Sequence, residues 1–100
     1  MVLHGIEIPR ERIAAFCQAN GIHRLALFGS ILRDDFRPES DIDVLVEFQP
    51  GTRVGLSFIR MQDELSAILA RRVDLNTPGS LSKYFRAEVL KETEPLYVAA

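Results

Sequence analysis

Asp41 and Asp43 stand one residue apart at the head of an apolar run, Val44-Leu45-Val46-Glu47-Phe48. In an extended strand both side chains point the same way, while Ile42 and Val44 point the other. Paired carboxylates repel, and each loses hydration where a buried strand begins. Packing does not call for that arrangement. A divalent cation resolves it, and Mg²⁺ typically takes one or two carboxylates and completes its shell with water and substrate phosphates. Upstream, Gly29-Ser30 ends a second apolar run, Leu25 to Phe28. Glycine lets a phosphate approach the backbone, and serine offers a hydroxyl and an N–H at the start of a helical turn, a natural anion site. One half of the stretch suits phosphate and the other suits the metal that phosphate needs. Asp74, between Val73 and Leu75 in a short apolar segment, is the candidate third carboxylate. Simpler readings compete: Ser40 and Asp41 as a solvated turn, Gly29-Ser30 as a capped strand end, and Asp74 as a surface partner of Arg71 or Arg72. The convergence of all three features on one chemistry favours a site.

The elements that must position these residues can be read from periodicity and punctuation. Pro9 fits the first position of a short helix that Gly21 closes, with Ile13, Phe16 and Cys17 on one face. His23 to Phe28 reads as a short buried strand, and Ser30 could open one or two helical turns over 30–35. Asp41 to Phe48 is the clearest strand. Leu56 to Ala70 is the best helix, since Phe58, Met61, Leu65, Ile68 and Leu69 fall on one face. Residues 72–77 suggest a third strand, and Ser82 can cap a last helix to about Thr93. Pro95 to Val98 reads as an edge strand or a tail. The order implies an α+β protein, with helices packed on a small mixed sheet.

One hundred residues, 47% hydrophobic and 26% charged, suit a single globular domain over 1–100. Such a domain buries only about two-thirds of its unfolded surface, so its core is modest. A net charge of -2 does not make nucleic acid the default partner, although ten of the twelve basic residues are arginine, which suits phosphate contacts. The lone Cys17 reads as a buried hydrophobe rather than a nucleophile. His4 and His23 are isolated and receive no role. Neither a signal-peptide core nor a membrane-spanning run is visible, so a cytoplasmic location is expected. Tyr84, Phe85 and the segment 95–98 could face water or a partner.

The spacing Gly29-Ser30-x(10)-Asp41-x-Asp43 resembles the G-S-x(9–13)-D-x-D signature of the polymerase-β-like nucleotidyltransferases. The fuller pattern is similar to the minimal nucleotidyltransferases (MNT): Phe28-Gly29-Ser30 with Arg33, then Ser40 to Phe48, then Val73-Asp74-Leu75. These are commonly antitoxins encoded beside a helical HEPN ribonuclease toxin. The resemblance implies a polymerase-β-type fold, ATP as substrate and two Mg²⁺ ions. It implies that Gly29, Ser30, Arg33 and Ser40 bind nucleotide, and that Asp41, Asp43 and Asp74 are catalytic and bind metal. It further implies AMP transfer to a hydroxyl, commonly a tyrosine, of a HEPN toxin in a hetero-oligomer, with no direct contact to nucleic acid or membrane. The runner-up functions are an antitoxin that acts by binding alone and a small-molecule nucleotidyltransferase. Asp34 departs from the pattern, because many relatives carry glycine there and its charge falls near the expected phosphate path.

Overall fold

The computed structural model describes residues 1–100. It opens with a hairpin, β1 (Val2–Leu3) and β2 (Ile6–Glu7), turned by His4 at φ 51° and Gly5 at φ 76°. Positive φ at both central residues is what a tight hairpin turn requires. Two-residue strands are too short for alternation to reveal, so this hairpin has no signal in the sequence. Helix α1 follows (Arg10–Ala19), with Pro9 at its N-cap, one position before the expected one. Asn20 caps its far end, and Gly21 at φ 65° turns the chain out of it.

Strand β3 (Ile22–Phe28) runs into a four-residue 3-10 turn, Gly29–Leu32, where one or two helical turns over 30–35 were expected. Then come β4 (Ile42–Phe48), helix α2 (Ser57–Leu69), β5 (Val73–Asn76) and a 3-10 turn at Pro78–Ser80. Helix α3 (Arg86–Lys91) and strand β6 (Glu94–Val98) complete the chain. The last helix is shorter than the expected Ser82 to Thr93. Ser82 accepts the Tyr84 N–H at 3.3 Å and so holds a turn instead of capping a helix. A serine side chain bonding its own neighbourhood offers the backbone this alternative.

The sheet order is β5-β4-β3-β6. Strands β3 and β4 are antiparallel, β6 adds antiparallel to β3, and β5 adds parallel to β4. A parallel neighbour needs a crossover, which α2 supplies. The mixed sheet and its helices match the α+β expectation, and 95–98 is an edge strand. Helices α1 and α2 cover one face. There Ile13, Phe16, Met61 and Leu65 pack with Leu25, Leu27, Val44 and Val46 in one core cluster. Cys17 lies in it, and burial pushes its thiol up to about 12, which leaves it inert as a nucleophile. No helix is long and apolar enough to cross a membrane.

Leu65 is fully buried at the centre of α2's inner face. Leu65→Ala should therefore cost about 2–5 kcal/mol, read as a lower urea midpoint with the slope unchanged.

Candidate active site

The opposite face of the sheet carries the carboxylates. Alternation along β4 sends Ile42, Val44 and Val46 into the core, leaving Asp43 half-buried on the other side. The parallel register sets Asp43 directly beside Asp74 of β5. The antiparallel register sets it opposite Phe28, the residue before Gly29. Gly29 has φ 78°, and a Cβ there would collide with the Asp43 carboxylate, lying 3.2 Å from its Cγ. Glycine is thus demanded twice, by its backbone angle and by the carboxylate against it. Asp41 lies one residue before β4 and is half-exposed.

Electrostatics joins the three acids. The Asp43 carboxyl is pushed up from 3.8 to about 6, first by burial, then by the charges of Asp74 and Asp41, with Arg33 pulling the other way. None of the four ion pairs in the chain involves Asp43 or Asp74. The simpler reading of Asp74 as a partner of Arg71 or Arg72 is therefore not what the structure contains. Arg72 turns to Asp41 instead, at 3.9 Å and mostly exposed, a pairing of little strength.

Arg71 has a different task. It donates to the carbonyl oxygens of Arg37 at 2.6 Å and Ser40 at 3.0 Å, and lies 4.7 Å from the centre of the Phe36 ring. Phe36 in turn packs against the His4 ring at 4.8 Å, and His4 Nε2 donates to the Ile31 carbonyl at 3.0 Å. The loop between the glycine-serine pair and the two aspartates is braced by this stack. His4, isolated in the sequence and expected to have no role, takes this one from a hairpin whose two-residue strands leave no periodic signal.

Gly29 meets Asp43, whereas the other residues expected to bind nucleotide are less directly engaged. Ser30 is half-buried beside them. Arg33 is exposed and pairs with Asp35 at 3.2 Å, while its charge reaches Asp43. Ser40 uses its hydroxyl to accept the Arg37 N–H at 3.0 Å, so it shapes the loop. Asp34 is exposed. A cavity of about 290 Å³ opens beside Gly29 and Arg33, walled on its far side by Phe85, Glu88, Val89 and Glu92. These wall residues, from α3 and its two flanking positions, carry no signal in the sequence that places them beside Gly29. The largest cavity, about 560 Å³, lies elsewhere, around Phe48, Phe58 and Asn76.

The acids do not already converge as a closed ligand set. Their donor chemistry does fit a hard divalent cation, since every candidate ligand is a carboxylate oxygen and neither Asp43 nor Asp74 is held in an ion pair.

Residues 10–96 match the family model described as a nucleotidyltransferase domain. The chain belongs to the minimal nucleotidyltransferase family. It is 36% identical over 72 residues to the protein adenylyltransferase MntA of Thermococcus cleftensis, covering 72% of each. A solved structure described provisionally as a minimal nucleotidyltransferase superposes with a TM-score of 0.71 at 35% identity, covering 86% of this chain and 87% of that one. A chain from a complex of a tri-AMPylated Shewanella oneidensis HEPN toxin with an MNT antitoxin shares the fold, with a TM-score of 0.64 at 22% identity over 90% of this chain and 70% of that one. This chain is thus a nucleotidyltransferase, and its substrate is a nucleotide.

Two predictions follow for this nucleotidyltransferase. Gly29→Ala should destabilise it by about 1–3 kcal/mol and displace Asp43, so nucleotidyl transfer should fall further than stability accounts for; thermal melts beside activity assays check both. The second concerns Asp43. Its carboxyl titrates higher folded than unfolded, so the folded state holds its proton more tightly. That contribution is complete below about pH 4 and is lost as pH rises through about 6. Without added metal, Asp43→Asn should raise the melting temperature at pH 7 by about 4–8 °C, the shift that roughly 1 kcal/mol produces in a small domain. The gain should vanish near pH 4.

Proposed function

We propose that this chain is an antitoxin that transfers AMP from ATP to a hydroxyl, most plainly a tyrosine hydroxyl, of a HEPN-family toxin in a cytoplasmic hetero-oligomer. One observation carries the reading: Asp43 is held between Gly29 on one side and Asp74 on the other, in no ion pair and with only the distant charge of Arg33 opposing the two neighbouring carboxylates. That is a place for phosphate and divalent metal together. The name of the Thermococcus relative and the AMPylated toxin of the Shewanella complex support adenylyl transfer to a protein.

Asp41, Asp43 and Asp74 would hold Mg²⁺ as two ions. When bound, the metal supplies positive charge to the attacking and leaving oxygens of an in-line displacement. The remaining roles belong to the chain. Gly29 and Ser30 receive the triphosphate where the backbone can come close to it. Arg33, free to swing from its exposed pairing with Asp35, adds a cation to the phosphates. Asp74 orients the acceptor hydroxyl and takes its proton. The hydroxyl oxygen forms a bond to the α-phosphorus, the bond from that phosphorus to the bridging oxygen breaks, and pyrophosphate leaves with the electron pair. The product carries new negative charge and bulk on the toxin, which opposes binding of RNA phosphates.

The test uses ATP labelled at the α-phosphate, Mg²⁺, this protein and the product of the neighbouring gene, expected to be a HEPN protein. Label should appear on the HEPN protein, and Asp41→Asn/Asp43→Asn should reduce its rate by about a hundredfold or more. A stable, unlabelled complex that still silences the ribonuclease would replace transfer with inhibition by binding alone.

A further inference from the structure

Strand β5 is four residues long and lies at the sheet edge, paired only with β4. In a parallel ladder alternate residues of β5 turn both N–H and C=O toward β4, and the Arg72 carbonyl sets the phase by accepting the Ile42 N–H at 2.9 Å. The amides of Val73 and Leu75 therefore face outward, one on each side of Asp74. Outward amides of an edge strand ordinarily meet water or another strand. Here both are taken by side chains of α2. Val73 N–H donates to Ser66 Oγ at 3.1 Å, and Leu75 N–H donates to Gln62 Oε1 at 2.9 Å. Ser66 Oγ also donates to the Gln62 carbonyl at 2.8 Å, so its hydroxyl is used in both directions.

The match is geometric. Four residues of helix rise about 6 Å, and two residues of strand advance about 6.6 Å. Side chains at 62 and 66 thus meet amides at 75 and 73 when helix and strand run antiparallel. An amide N–H can bond only the oxygen of a glutamine side chain, so the Gln62 head group is oriented as well. Neither side chain is hydrogen-bonded to a carboxylate.

We propose that Gln62 and Ser66 are positioning residues for Asp74. They tie down the backbone on both sides of it and hold its carboxylate level with Asp43, so that the pair can accept a divalent cation. The role in cation binding rests on the metal reading proposed above; the tether itself does not.

The experiment compares the wild-type chain with Ser66→Ala, Ser66→Thr and Gln62→Leu/Ser66→Ala. Amide exchange is followed by NMR, and Mn²⁺ affinity by the EPR signal of the free ion. In Ser66→Ala and the double variant the Val73 amide should exchange at least about tenfold faster, joined by Leu75 in the double variant, while Leu25 and Val46 keep their protection. Mn²⁺ affinity should fall by about tenfold, as it does when groups that orient metal ligands are removed. Adenylylation should lose kcat, with KM for ATP changed less than about twofold. Ser66→Thr, which keeps the hydroxyl, should behave like wild type. Faster exchange with unchanged Mn²⁺ affinity would overturn the positioning role. Unchanged exchange would overturn the tether. A wild-type chain that binds no Mn²⁺ would overturn the metal reading, with the exchange at Val73 and Leu75 still deciding the tether. If the double variant loses protection in β3 and β4 as well, Ser66→Ala alone decides.

Discussion

Asp43 has two carboxylates near it, is half removed from water, and has no basic side chain paired with it. Left alone, such a group would drift toward solvent or stay protonated, because both burial and like charge oppose its ionised form. It stays in place because β4 is two-faced. Ile42, Val44 and Val46 are fully buried under α1 and α2, and their burial fixes the strand that the aspartate must ride on. A one-residue slip would turn Asp43 into the core beneath α1 and α2, where its carboxylate would have no partner. The hydrophobic face therefore holds the electrostatic conflict on the other face.

The parallel pairing of β5 sharpens that conflict by adding Asp74. Parallel neighbours must be joined across the sheet, and α2 makes the connection while contributing Met61, Leu65 and Leu69 to the core. Arg71, just beyond α2, reaches back to the carbonyls of Arg37 and Ser40, immediately before Asp41. One stretch, from Gln62 to Asp74, thus supplies core, crossover, loop brace and one of the three acids. Its polar residues look like ordinary helix-surface residues until the strand beside them is in view.

Legibility varied with the length over which each feature is encoded. Strand β4 and helix α2 are long, strongly patterned and were placed to within a residue or two. The β1–β2 hairpin was missed because two residues carry no period, and with it went the role of His4 beneath Phe36. The last helix is shorter than Ser82, a good cap by type, implies, because the Ser82 hydroxyl holds a local turn. Ser40 sits beside the aspartates in the chain but spends its hydroxyl on the loop. The far wall of the cavity beside Gly29, with Phe85 and Glu88, comes from a segment more than fifty residues away.

Local sequence determined that a glycine-serine turn precedes Asp41 and Asp43, that Asp43 falls on the face of β4 opposite Ile42 and Val44, and that β4 and α2 each have an apolar side. Those properties follow from side-chain periods of two and 3.6 residues, which a single segment carries within itself. Only the tertiary structure decided that Asp74 lies beside Asp43, that Gly29 closes against the same carboxylate, and that Gln62 and Ser66 hold the strand between them. Register between segments distant in the chain is set by how their apolar faces pack across a common core, and no segment read alone contains that information.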